Sequence, residues 1–338
     1  MRTKTKLTVF IPTYNRVRSL EVCLKGLAAQ IGQRKDVCVH VSDNASEDGT
    51  DLLLALYKKQ YPWLSYERNR CNGGGVFNQL KAFSLPFESE FVWMIGDDDY
   101  VVQDAIEDLC NIIELDAPFD VIFCNTMAFA VENKQKVIEK YLNVGGVDEG
   151  VYKSKVQGEF LTTFPELINP AVADSYLIEL MCLCFRQSFV QPETIKKVQE
   201  KGMSEVCATN PNTTFERAGD YYSGGILPLL EQVTTQTVCF YSQKPRTFNF
   251  WGSAAWLVDY DYVFVIALLH IINYYRKRKL IDNNKTLLLL KHYFSMMSPS
   301  IQRQLTGQSK AKPLTTDQHK VLAKHMSYYI TGTFADEL

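Results

Sequence analysis

The chain has 338 residues, 46% of them hydrophobic, enough for one large domain or for a domain with a sizeable C-terminal appendage. Its 36 Lys and Arg against 38 Asp and Glu leave a formal charge of -2, which argues against a nucleic-acid binder, because phosphate-backbone affinity needs a basic surplus. Nine cysteines without CxxC spacing argue against a zinc site or redox dithiol, and no segment reaches the ~18 apolar residues of a membrane span. The apolar run at 7–11 is too short for a secretory signal, so the expectation is a cytoplasmic protein.

Taken in order, short β-rich apolar runs at 7–11, 37–42, 64–67, 91–95 and 121–124 alternate with helically spaced stretches at 17–30, 49–60, 76–83 and 101–115. Strands alternating with helices imply right-handed crossovers, hence an α/β fold whose mostly parallel sheet is flanked by helices. Residues 130–170 are turn-rich and read as loops with a short hairpin, and 180–185 read as a buried strand. From 254 onward the pattern is helical, broken near 282–284 and polar over 304–317. The expected organisation is a Rossmann-like catalytic domain over 1–250 and a helical extension over 251–338.

Ligands of such sheets sit beyond the carboxyl ends of the strands. Polar residues do gather there: Thr13, Tyr14, Asn15 and Arg16 after the first strand, Asp43, Asn44 and Ser46 after the second, 69–75 after the third, and Asp97, Asp98 and Asp99 after the fourth. Three consecutive carboxylates repel one another unless a cation lies between them. A hard divalent ion such as Mg2+ or Mn2+ takes carboxylate oxygens and completes its shell with a substrate diphosphate. The plainer reading is a solvated turn that caps the following helix.

Tyr14 offers an aromatic face for a nucleobase, and Asp43 is placed to accept from a base or ribose donor. Against this stands an ordinary strand-to-helix turn in which Ser46, Asp48 or Thr50 caps the next helix. The run Asn72, Gly73, Gly74, Gly75 would let backbone amides approach phosphate or ribose, or serve as a flexible turn. With Asn78 where a dinucleotide fingerprint needs glycine, it is not such a fingerprint.

Together, VFIPTYNR at 9–16, SDNASEDGT at 42–50, NGG at 72–74 and GDDD at 96–99 resemble the family 2 glycosyltransferases of the GT-A fold, over roughly the first 125 residues. Weaker echoes follow at 184–188 and 219–222. The segments also resemble transferases of bacterial surface polysaccharides, the abequosyl type among them. The resemblance implies that Thr13, Tyr14, Arg16 and Asp43 hold the nucleoside of a nucleoside-diphosphate sugar, with UDP the first choice on family frequency. It further implies that Asp98 and Asp99 are the metal ligands, with Gly96 replacing the first aspartate of a D-x-D-D pattern. Asp97 stays a ligand of either ribose or metal. The acceptor expected is a hydroxyl of a glycan or lipid-linked molecule.

An inverting transfer needs a base for the acceptor hydroxyl. The resemblance points to Asp220, ahead of Tyr221 and Tyr222, although Gly219 stands where the family has an acid; Glu216 is the reserve, and a helix N-cap is the structural alternative for Asp220. The apolar stretch 263–272, followed by Tyr274, Tyr275 and Arg276 to Lys279, reads as a buried helix with a cationic end, or as an interfacial helix on an anionic membrane at the cytoplasmic face. Two rival functions remain: a Rossmann-type oxidoreductase, which would want a glycine fingerprint where 12–15 has none, and a non-catalytic nucleotide-sugar-binding relative.

Overall fold

The computed structural model describes residues 5–85, 87–144, 146–148, 150–172, 179–191, 193, 196, 227–251, 260–311 and 313–333. Its centre is a 10-stranded sheet whose main path runs β3-β2-β1-β4-β9-β6-β10-β5.

The parallel half comes first in the chain: β1 (Leu7–Thr13), α1 (Val17–Ile31), β2 (Val37–Asp43), α2 (Thr50–Gln60), β3 (Leu64–Arg68), α3 (Gly75–Ser84) and β4 (Phe91–Met94). β1 pairs in parallel with both β2 and β4, and β2 with β3, so their carboxyl ends share one edge. Leu7, Val9, Phe10 and Ile11 of β1 are all fully buried, as expected of a strand covered on both faces.

The other half is mixed. β9 (Leu183–Arg186) lies antiparallel between β4 and β6 (Val121–Ala130), which itself runs parallel to β10 (Val238–Trp251). Short antiparallel partners complete it: β5 (Tyr100–Val101) and β8 (Glu159–Thr163) on β10, and β7 (Val151–Tyr152) on β6. Of the run expected as a buried strand over 180–185, the first residues form a 3-10 turn, Leu180–Cys182, that delivers the chain to β9.

Two sequence expectations change here. The helix expected over 101–115 starts later, as α4 (Ala105–Ile113), because Tyr100 and Val101 are drawn into the sheet against Phe248 and Thr247. The stretch 130–170 holds a full helix, α5 (Lys134–Val144), whose buried residues are Val137 and Tyr141. Tyr141 lies over Gly26 of α1, where an added Cβ would come within 1.7 Å of its hydroxyl, and that hydroxyl donates to the Val101 carbonyl at 2.8 Å. Glycine in mid-helix thus lets α5 pin β5 close to the carboxylate turn.

The rest of the described chain is helical: α6 (Phe164–Leu167), α7 (Leu227–Gln232), α8 (Tyr260–Lys277), α9 (Asn283–Leu305) and α10 (Thr316–Thr331). Asp282 caps α9 by accepting from the Lys285 amide, and Thr315 with Gln318 forms a capping box on α10. Val265, Ile266, Leu268, Leu269, Ile271 and Ile272 are buried, and Tyr293 of α9 donates to the Val265 carbonyl. These six residues of the apolar stretch are therefore part of the core. Arg276 stacks over Tyr328, and Arg278 donates to the carbonyls of Glu231 and Val233. Among the described residues, no helix is long and apolar enough to cross a membrane.

Candidate active site

The carboxyl ends of β1, β2 and β4 deliver the predicted residues to one edge. Thr13 closes β1 and donates to Asp97 Oδ2 at 2.7 Å. Arg16, ahead of α1, places one guanidinium nitrogen 3.1 Å from Asp97 Oδ1 and 2.7 Å from Asp98 Oδ2. The cation that lies among these carboxylates is thus the side chain of Arg16. Burial opposes its charge, but Asp98 and Asp97 prevail and raise its pKa. Burial, then the neighbouring charge of Asp98, pushes the carboxyls of Asp97 and Asp99 up to about 7. One guanidinium leaves the cluster short of positive charge.

The three aspartates point in different directions. Asp97 and Asp99 are buried, whereas the Asp98 side chain is 25% exposed. Asp99 folds back so that Oδ2 accepts from the Gly96 amide at 2.7 Å and Oδ1 from Asn249 Nδ2 at 3.2 Å. A Cβ at Gly96 would lie 2.9 Å from Asp99 Oδ2 and 3.1 Å from Asp98 Oδ1, which explains glycine at the place where the resemblance leads one to expect an aspartate. None of the three caps α4, whose N-cap is Asp104 without a side-chain bond. The oxygen-only donor set and its surplus negative charge fit a hard divalent cation, with Asp98 the most accessible ligand. Among the described residues no group of three or more His, Cys, Asp or Glu side chains is arranged to hold a metal ion.

At the end of β2, Asp43 is fully buried; Oδ1 accepts from the Ser46 amide, while Oδ2 has no hydrogen-bond partner. Arg68 lies above it, Nε 3.6 Å from Oδ2, and donates to the Ser46 carbonyl. An acceptor oxygen screened only by the partly exposed Arg68 suits the N–H of a ligand. Tyr14, which follows the Thr13–Asp43 strand pair, is 41% exposed. The loops are tied together: Ser46 Oγ accepts from the Asn15 amide, Asn15 Oδ1 from the Glu47 amide, and Asp48 from the amides of both Val17 and Thr50. Asp48 therefore serves the starts of two helices, of which the sequence suggests only the second.

Asn44, Asn72 and Gly73 play a supporting part. Asn44 accepts from Asn69 Nδ2 and the Gly73 amide, and donates to Asn72 Oδ1 and the Gly74 carbonyl. Asn72 Oδ1 also accepts from the Gly74 amide. Gly74 has φ 88°, a conformation that favours glycine. These groups shape the loop, and the Asn44 side chain, Asn72 Oδ1 and the Gly73 amide are engaged within it. Asn78 stitches it to the sheet, accepting from Ser42 Oγ and donating to the Ser42 carbonyl. Asp220 and Glu216 lie outside the described residues, as does the motif around them.

Residues that the motifs do not flag complete the edge. Asn249 comes from β10, 150 residues beyond Asp99, and only strand pairing brings it there. Arg68 ends β3, where a charged residue reads as ordinary surface.

Residues 8–165 match the family model of glycosyl transferase family 2, a little under half of the chain. Abequosyltransferase RfbV of Salmonella typhimurium is 34% identical over 116 residues, 34% of each chain. An uncharacterized glycosyltransferase, MG025, of Mycoplasma genitalium is 26% identical over 148 residues, 44% of this chain and 48% of that protein. The chain thus spans about a third to a half of the length of these curated relatives. Among solved structures, S. aureus TarS 1-349 in complex with UDP-GlcNAc superposes with a TM-score of 0.58 at 15% identity, covering 96% of this chain and 81% of that one. At that identity the likeness bears on the fold alone, and it agrees with the sheet described above. Residues 8–165 thus resemble glycosyl transferase family 2 in sequence, and the chain has the GT-A fold.

Proposed function

We propose that this protein is a glycosyltransferase that moves a sugar from a nucleoside diphosphate, UDP first, to a hydroxyl of a glycan or lipid-linked acceptor in surface polysaccharide synthesis. The observation that carries the reading is the carboxylate cluster at the sheet edge, short of positive charge and separated by β1 from the unpartnered oxygen of Asp43. UDP-GlcNAc bound by TarS supports such a donor, and the likeness to an abequosyltransferase supports transfer of a sugar.

In this reading Tyr14 stacks on the base, Asp43 accepts from its N–H once Arg68 yields, and Thr13 orients Asp97 towards the ribose or metal. Arg16 holds Asp97 and Asp98 apart from other partners until the diphosphate arrives. Asp98, with Asp99 behind it, would hold Mg2+ or Mn2+, which supplies positive charge against the departing diphosphate. Asp220 takes the proton of the acceptor hydroxyl as its oxygen bonds to the anomeric carbon and the bond to the diphosphate oxygen breaks, inverting the configuration. Glu216 is the reserve base. We place the enzyme in the cytoplasm, with the basic end of α8 facing the inner side of the membrane when the acceptor is lipid-linked. The functional unit spans 1–250, with 251–338 as its helical extension.

The test is Asp220→Asn assayed with a donor panel for transfer and for nucleotide binding. Transfer should fall by about 100-fold or more while nucleotide affinity is kept. Unchanged transfer would remove Asp220 from the mechanism, and wild-type protein that binds donor without transfer or hydrolysis would favour a non-catalytic relative.

A further inference from the structure

Beyond Asp99 the same edge carries a second charged pair that neither the motifs nor the proposed mechanism uses. Lys153 follows β7 and is fixed by its amide, which donates to the Thr126 carbonyl of β6 at 3.0 Å. Its ammonium lies 2.7 Å from Glu179 Oε1. Glu179 precedes the turn into β9 and is anchored by its carbonyl, which accepts from the Cys182 amide at 3.2 Å. Within that turn the Met181 carbonyl accepts from Trp93 Nε1 of β4. Glu179 Oε2 is buried and has no hydrogen-bond partner.

Strand register places this pair relative to the carboxylates. Asn249, which holds Asp99, sits opposite Ala128 of β6, and Met127 beside it pairs with Tyr152, the residue before Lys153. From β2 across β1 and β4 to β9 and β6, the edge therefore presents Asp43, then Thr13 and Asp97 to Asp99, then Glu179 with Lys153. If the nucleoside sits at Asp43 and the diphosphate at the aspartates, what is attached beyond the diphosphate meets Glu179. A buried carboxylate oxygen without a donor is costly, and a sugar hydroxyl supplies that donor. Lys153 holds its other oxygen still through the ion pair.

We propose that Glu179, held by Lys153, recognises the transferred sugar by accepting from one of its hydroxyls through Oε2. The assignment rests on the glycosyltransferase reading. The test is titration calorimetry with Mn2+ present, using UDP, GDP, CDP and dTDP, each alone and as its glucose conjugate, on wild type, Glu179→Gln and Lys153→Met. Wild type should bind one conjugate more tightly than its bare diphosphate. Glu179→Gln should cut that margin by about tenfold or more and leave the bare diphosphate unchanged, and Lys153→Met should cut it by less. A margin that survives Glu179→Gln, a wild type with no margin, or an equal loss for diphosphate and conjugate overturns the assignment. Absence of binding by every diphosphate and conjugate in wild type would instead defeat the glycosyltransferase reading itself.

Discussion

Replacing Arg16 with Met removes the guanidinium that faces Asp97 and Asp98 while keeping most of the apolar stem. Breaking a fully buried ion pair costs about 3–5 kcal/mol, because the remaining charge is left uncompensated. Asp97 is 5% exposed but Arg16 is 30% exposed, so solvent screens part of the interaction and the expected loss is about 2 kcal/mol at about pH 8. The pH dependence follows from proton counts. Asp97 keeps its proton to about pH 7 in the fold, whereas the unfolded chain releases it near the ordinary carboxylate value. Between those values the native state holds more protons, so this group makes stability fall as pH rises. Without Arg16 that slope steepens, whereas at about pH 5 Asp97 is protonated and needs the guanidinium less. Urea unfolding in EDTA should therefore show about 2 kcal/mol lost at about pH 8 and about 1 kcal/mol or less at about pH 5, with unchanged m values. Equal losses at both pH values would refute the electrostatic account of this cluster.

Two further substitutions test the supports of the site. Asn44→Ala deletes bonds to Asn69, Asn72, Gly73 and Gly74, and should cost about 2–3 kcal/mol in urea unfolding, with faster amide exchange at Gly73 and Gly74; an unaffected loop would contradict its supporting role. Gly26→Ala drives a methyl into Tyr141 and should cost about 2 kcal/mol net of the better helix propensity of alanine. Adding Tyr141→Phe removes the colliding oxygen and should return part of that loss; a double variant weaker than the sum of the two would show that the clash is not the cause.

How far the site can be read from sequence depends on how local its causes are. The parallel half was legible because β1 to β4 and α1 to α3 carry their own periodicity, and because polar residues collect directly after each strand. The helix α5 was not, since KQKVIEKYLNV buries only Val137 and Tyr141 and its polar character reads as loop. β10 escaped because Lys244, Pro245 and Arg246 interrupt its pattern; the pairing with β6 accommodates Pro245 through register shifts on either side of it. The aspartate run announced a need for positive charge, yet that Arg16 meets part of it depends on how α1 begins beside β4. Asn44 and Asn72 brace the loop as well as standing among the expected ligand groups, because a short amide both donates and accepts. Asn249 and Glu179 come from distant segments and gain meaning only through strand register.

The most direct measurement of the central claim is a thermal-shift titration of the whole chain with UDP, GDP, CDP and dTDP, each with and without Mn2+. A ligand that binds only the folded state raises the melting temperature, by about 2.7 kcal/mol of stabilisation at a hundredfold excess over its dissociation constant. The account predicts that one diphosphate stabilises the protein in Mn2+, that EDTA abolishes most of the effect, and that Asp98→Asn abolishes it while Asp43→Asn weakens it. Stabilisation by no diphosphate, or an equal shift with EDTA and with Asp98→Asn, would contradict the claim that these carboxylates hold a cation and its diphosphate together.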